Sequence, residues 1–279
     1  MTNTTDNSRY LIDIEKIVAS KDEKLLKRLP NFIISYLKRI VHQKELNEFI
    51  LKNQDKSPIE FIDAGLELFQ VGIKTRGIDN LPENPKVIVV ANHPLGGLDG
   101  VSLTKIIAEN LDKEVKVTAN DLLMNLKAMQ PSFIGVNKHG TNVKSYIAEM
   151  HRSFESTHPI IFFPAGLISR RIKGKIIDLD WKRTFIKKAV EYQRDVVPVH
   201  ISGRVSGFFY RLANFRKFLG LKQNIEMLYL PNELFKQKNE KLIISIGKPI
   251  SWKTFTSDKK PEEWAQKVKD MVYLLAEKL

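Results

Sequence analysis

The amino-acid sequence predicts an α/β protein, a largely parallel mixed sheet flanked by helices with an N-terminal amphipathic helical extension. Three observations predict it. Short unbroken apolar runs recur from Val87 onward, helical patterns lie between several of them, and a basic segment with apolar residues at spacings of three and four precedes them all.

Residues 1–20 read as a frayed lead-in, followed by a helical pattern from Lys21 to about Phe69. Leu29, Ile33, Tyr36, Leu37 and Ile40 form its apolar stripe, with Lys27, Arg28, Lys38 and Arg39 around them. Between Lys21 and Lys44 there are seven Lys or Arg and two Asp or Glu, a balance suited either to a helix in an anionic lipid interface or to one packed on its own domain. Ser57-Pro58 supplies an N-cap and an N1 proline for a further helix.

The runs VIVVA (87–91), VKVTA (115–119), FIGV (133–136), PIIFF (159–163) and VVPVHI (196–201) read as strands buried on both faces. Helical patterns at 142–154 and 181–192 give the alternation of a βαβ chain. LIISI (242–246) adds a late strand, and a closing helix runs from about Pro261 to Leu279. With no repeat or linker, the division is a helical extension over residues 1–69 and one compact α/β domain over 70–279.

Composition narrows the chemistry. The 279 residues contain no Cys, which excludes disulfides, thiolate metal sites and a cysteine nucleophile. Any catalysis then falls to His, Ser, Asp, Glu, Lys or Arg. A net charge of +13 points to an anionic partner: nucleic acid, a lipid surface or an acidic protein. The polar, acidic N-terminus does not read as a signal peptide, and the most apolar stretch, 159–168, is short and broken by Pro164 and Gly166. The expectation is a cytoplasmic protein that lies on the inner face of the membrane without spanning it.

The strongest chemical signal is VIVVANHPLGGLDG (87–100), where a strand ends in His93, a glycine pair (Gly96, Gly97) and Asp99. Open α/β sheets bind ligands at such strand ends. A neutral imidazole there can take a proton from a hydroxyl while a carboxylate on its other nitrogen fixes the tautomer, and the glycines let the turn fold back. FFPAGLISRR (162–171) is a second strand end, carrying Pro164, Ala165, Gly166, Ser169, Arg170 and Arg171. Paired arginines suit phosphate or carboxylate, although a solvated basic face is the common alternative. In VVPVHISGR (196–204), His200 reads as a core or rim histidine. The chain has no Gly-x-Ser-x-Gly elbow, Walker loop or His-Glu-x-x-His helix, and no histidine spacing suited to a metal.

These segments, in this order, resemble the glycerolipid and lysophospholipid acyltransferase family over roughly residues 70–255. Asn92-His93 to Asp99 looks like its His-x4-Asp motif, FPAG (163–166) like its Phe-Pro-Glu-Gly motif and Val197-Pro198-Val199 like its late apolar motif. LPNELF (230–235) and IGKPI (246–250) are similar to its C-terminal part.

The resemblance implies His93 and Asp99 as the catalytic pair, and Asn92, Gly96, Gly97, Pro164, Ala165, Gly166, Ser169, Arg170 and Arg171 as substrate-binding residues. It also implies a lysolipid acceptor, an acyl-carrier-protein or coenzyme A thioester as donor, an anionic membrane surface as partner, no bound cofactor and no specific nucleic acid. Two departures stand out. Five residues separate His93 from Asp99 instead of four, as in the hemolysin-like or aminolipid O-acyltransferase branch, and Ala165 replaces the Glu. The missing carboxylate brings a lyso-aminolipid such as a lyso-ornithine or lyso-glycine lipid into competition with glycerol-phosphate acceptors. The competing readings are a non-enzymatic nucleic-acid-binding protein, favoured by charge alone, and a membrane-surface protein with a decayed site.

Overall fold

The computed structural model describes residues 12–119, 123–135, 143–221 and 223–277. Five helices open the chain: α1 (Ile14–Lys21), α2 (Glu23–Arg28), α3 (Asn31–Ile40), α4 (Gln43–Asn53) and α5 (Pro58–Phe69). The order continues β1 (Gly72–Arg76), β2 (Val87–Ala91), α6 (Gly97–Leu111), β3 (Lys116–Ala119), β4 (Phe133–Gly135), α7 (Val143–Glu155) and β5 (Ile160–Phe162). It ends β6 (Arg170–Ile172), β7 (Lys175–Ile177), α8 (Thr184–Tyr192), β8 (Asp195–Ile201), α9 (Gly207–Phe218), α10 (Leu230–Phe235), β9 (Lys241–Ile246) and α11 (Pro261–Glu277).

Seven strands form one sheet in the order β1-β9-β8-β2-β5-β3-β4. Every neighbouring pair is parallel except β8 with β9. The mixed, mostly parallel sheet is thus as the sequence predicts. The expected helices appear at α7, α8 and α11, with Asn142, Lys278 and Leu279 outside the described residues, as is Val136 of the FIGV run. Strand β1 and the antiparallel hairpin β6-β7 carry no continuous apolar run, and the sequence reading missed them.

The unbroken apolar runs reflect burial on both sides. In β2, Val87, Val89 and Ala91 face a cluster with Phe61 and Ile62 of α5 and Leu103 and Ile107 of α6. Ile88 and Val90 face the opposite cluster, with Phe154 of α7, Phe185 and Ala189 of α8, and Val268 and Val272 of α11. A strand covered by helices on both faces has no position left for a polar side chain.

The N-terminal segment corrects one expectation. Residues 14–21 form a capped helix instead of a frayed lead-in, while residues 1–11 lie outside the described part. Asp13 accepts from the amides of Glu15 and Lys16, Asn47 pairs with both backbone groups of Ile12, and Ile14 packs with Ile40 and Val41. Ser57 and Glu60 make a reciprocal capping box for α5, as the Ser-Pro pair predicts. Among the described residues no helix is long and apolar enough to cross a membrane.

Arg194, before β8, is fully buried and donates to the carbonyls of Val87, Ser153, Phe154, Ser156 and His158. It gathers the C-terminal end of α7, the loop after it and the start of β2. Burial lowers its pKa to about 10, which still leaves it charged at neutral pH.

Candidate active site

Strands β5, β2 and β8 are adjacent and parallel, so their carboxyl ends open on one edge of the sheet. That edge collects segments 92–99, 163–171 and 202–204, which are far apart in sequence. Asn92 links two of them: its amide nitrogen donates to Ile201 O at 2.9 Å and its oxygen accepts Ile201 N–H at 2.7 Å. Asn92, expected among the substrate contacts, is therefore spent on holding β2 to β8. It is 3% exposed.

His93 follows, with its backbone fixed at both ends. Its N–H donates to Asp178 Oδ1 at 3.2 Å, and its carbonyl accepts from Ser169 N–H at 2.8 Å. Gly96 then turns the chain into α6 at φ 72° and ψ −128°, a conformation a side chain resists. The first turn of α6 carries Asp99 back to the ring, where His93 Nδ1 lies 2.9 Å from Asp99 Oδ2. The glycine pair thus accommodates the five-residue spacing.

Asp99 is fully buried, and its Oδ2 also accepts Leu95 N–H at 2.8 Å. Burial pushes its carboxyl above the usual range, the His93 ring and the Leu95 amide pull it back, and nearby Asp178 pushes it up again. The His93 side chain keeps 20% of its surface exposed and stacks on Phe163 with ring centroids 4.3 Å apart. With Nδ1 turned to the carboxylate, Nε2 is the nitrogen left for an incoming hydroxyl.

The second segment makes a tight turn. Gly166 N–H donates to Phe163 O at 2.9 Å, and Pro164 O accepts from Lys182 N–H at 3.0 Å. Gly166 has φ 67°, and a Cβ there would stand 3.0 Å from Lys182 Nζ. Ala165 is buried beside Trp181 and Phe185 in the cluster under the sheet, a place where a glutamate would lack solvent. Pro164 is buried with it, whereas Gly97 and Gly166 are exposed.

Ser169, Arg170 and Arg171 do not form one anion clamp. Ser169 is fully buried and its hydroxyl donates to Asp178 at 2.6 Å. Arg170 turns inward, pairing with buried Glu226 at 3.0 Å and lying over the Phe209 ring, because adjacent residues of β6 point to opposite sides. Arg171 stays partly exposed over Tyr210 and lines an open cleft of about 630 Å³ with Gly203, Arg204, Lys236 and Lys241.

Asp178 was missed by sequence reasoning. It is 1% exposed and accepts from the His93 amide, the Ser169 hydroxyl and Trp181 Nε1, the last at 2.9 Å, while its own N–H donates to Tyr273 at 2.7 Å. The available signal was that Asp178 is one of only two acids in the basic run 170–188. His200 is 8% exposed and edges onto Tyr273, a core histidine as its strand position suggested.

The protein-family model described as Acyltransferase matches residues 16–279. The lyso-glycine lipid O-acyltransferase of Bacteroides thetaiotaomicron is 47% identical over 271 residues, covering 97% of this chain and 100% of that protein. The enzyme of the same name from Phocaeicola vulgatus is 48% identical over 271 residues, covering 97% of each. The crystal structure of the 1-acyl-sn-glycerophosphate acyltransferase PlsC from Thermotoga maritima is 17% identical, with a TM-score of 0.49 over 88% of this chain and 92% of that one.

Proposed function

The chain belongs to the acyltransferase family, and within it we propose that the protein is a lysolipid O-acyltransferase whose acceptor is a lyso-glycine lipid. The observation that carries the catalytic part is the His93 Nδ1 to Asp99 Oδ2 contact of 2.9 Å at the open edge of the sheet. The acceptor reading rests on the two relatives.

In this reading the acceptor hydroxyl donates a hydrogen bond to His93 Nε2. His93 takes the proton as the oxygen attacks the thioester carbonyl of an acyl-carrier-protein or coenzyme A donor. Asp99 holds the ring and balances the imidazolium. The tetrahedral intermediate collapses, the carbon–sulfur bond breaks, and the imidazolium returns the proton to the leaving sulfur, giving an ester and a free thiol. No acyl-enzyme is needed. The first turn of α6, which opens at exposed Gly97, is the segment suited to offer backbone amides to the developing oxyanion, since the Gly166 amide is held by Phe163 O. Arg171, on the open cleft with Arg204, is the side chain suited to an anionic head group, since Arg170 is engaged with Glu226.

The test is acyl transfer from labelled acyl-carrier protein and acyl-CoA to lysophosphatidic acid, a lysophospholipid and a lyso-glycine lipid, with wild type and His93→Ala. Turnover of the lyso-glycine lipid that falls by about 10²-fold or more in the variant supports the proposal. Turnover of lysophosphatidic acid alone overturns the acceptor, and an active His93→Ala overturns the mechanism.

A further inference from the structure

Helix α9 buries Phe209, Tyr210 and Ala213 and leaves a second apolar face uncovered. Phe208, Arg211, Phe215 and Phe218, spaced three, four and three apart, stand on that outer face. Phe215 is 59% exposed and Phe218 85%, and Leu219 and Leu221 continue the apolar surface beyond the helix. Isolated exposed leucines are ordinary, but a row of phenyl rings on one helix face marks an interaction site.

The patch extends to α3. Tyr229 lies between the helices, its hydroxyl 2.7 Å from that of Tyr36 and its ring 5.0 Å from that of Phe208. One turn before Tyr36, Phe32 is 70% exposed. Charge fits an anionic partner: residues 204–222 hold five Lys or Arg and no Asp or Glu. Arg211 on the same face and Arg39, whose guanidinium lies over the Tyr36 ring, are exposed, while neighbouring Glu226 is buried against Arg170 and Arg216.

We propose that the outer face of α9, flanked by that of α3, docks the enzyme on an anionic lipid bilayer. Aromatic rings that enter the acyl boundary among cations that meet lipid phosphates are the pattern of an interfacial helix. An acidic carrier protein would match the cations but would give three protruding phenyl rings little to enter.

Position supports the assignment. Leu230, next to Tyr229, lies 3.7 Å from where a Cβ on Gly96 would stand. Ile168, on the loop that holds His93, packs in one cluster with Phe209 and Tyr229. These contacts set the loop that carries His93 directly behind α9, one helix layer from the docking face. The inference rests on the proposed lipid acceptor, yet its test does not require turnover.

The experiment is co-sedimentation of the full chain with vesicles of phosphatidylcholine alone or mixed with phosphatidylglycerol, for wild type, Phe215→Ser/Phe218→Ser and His93→Ala. Wild type and His93→Ala should bind the anionic vesicles equally, and the double variant about tenfold less tightly with an unchanged Tm. Activity of the double variant toward a short-chain, water-soluble acceptor should stay at the wild-type level. Binding within about twofold of wild type overturns the proposal. So does intact vesicle binding with selective loss of turnover from the carrier-protein donor, which would assign the face to that protein. If no acceptor turns over with wild type while the binding difference persists, the proposed reaction fails and the docking surface stands.

Discussion

The carboxylate of Asp178 accepts the backbone N–H of His93 at 3.2 Å and, through the same oxygen, the hydroxyl of Ser169 at 2.6 Å. Asp178 follows β7, whereas His93 follows β2, so one buried side chain ties the histidine loop to the loop that ends β5. It touches neither ring nitrogen of His93. Its role is to hold the main chain on which the imidazole is carried.

Asp178→Asn should therefore lower kcat by about 10-fold to 100-fold with a smaller change in KM, since an amide can replace only some of the carboxylate's acceptor bonds. Steady-state kinetics alongside a urea titration separate positioning from stability. A proportional loss of folded protein with normal kcat per folded molecule would assign Asp178 to the scaffold alone.

Asp99→Asn tests orientation against mere burial. The buried carboxylate faces Nδ1 and stabilises the proton there, whereas an amide nitrogen turned to the ring would favour the other tautomer and place the proton on Nε2. The expected result is a fall in kcat of about 10³-fold or more with only a small change in Tm, because the cheaper burial of a neutral amide is offset by an amide N–H set against the Leu95 N–H. Retained kcat would remove Asp99 from the catalytic pair.

His200 sets a pH limit on stability. Burial lowers its pKa from 6.5 to about 4, with Asp178 opposing in part, so the unfolded chain binds a proton in this window that the folded protein does not. Stability from this group is complete above pH 6.5 and declines as pH falls toward 4, by about 3 kcal/mol in total. Urea midpoints measured across that range should fall with pH, and His200→Phe should flatten the slope.

Arg194→Met should be among the most destabilising single changes, by about 3 kcal/mol or more, because it leaves buried carbonyls of the α7 terminus without donors. Arg194→Lys should recover only part of this, since three ammonium donors cannot span five carbonyl positions. Chemical denaturation of the two variants gives both values.

The sequence by itself determined the layered α/β architecture, because a strand buried on both faces must be written as an unbroken apolar run, as in VIVVA. It also marked His93, the glycine turn and Asp99, since a local motif at a strand end is continuous in sequence. What only the tertiary structure decided were relationships between distant segments. The parallel adjacency of β2, β5 and β8 gathers three loops on one edge, and no local pattern encodes which strands will be neighbours. Arg170 and Arg171 look equivalent in sequence, yet the pleat of β6 sends one to Glu226 and leaves the other on the cleft. Asp178 has no motif because its partners are a backbone amide and a hydroxyl from other loops. Hydrogen bonds of that kind are fixed by how the chain packs and leave no period in the sequence.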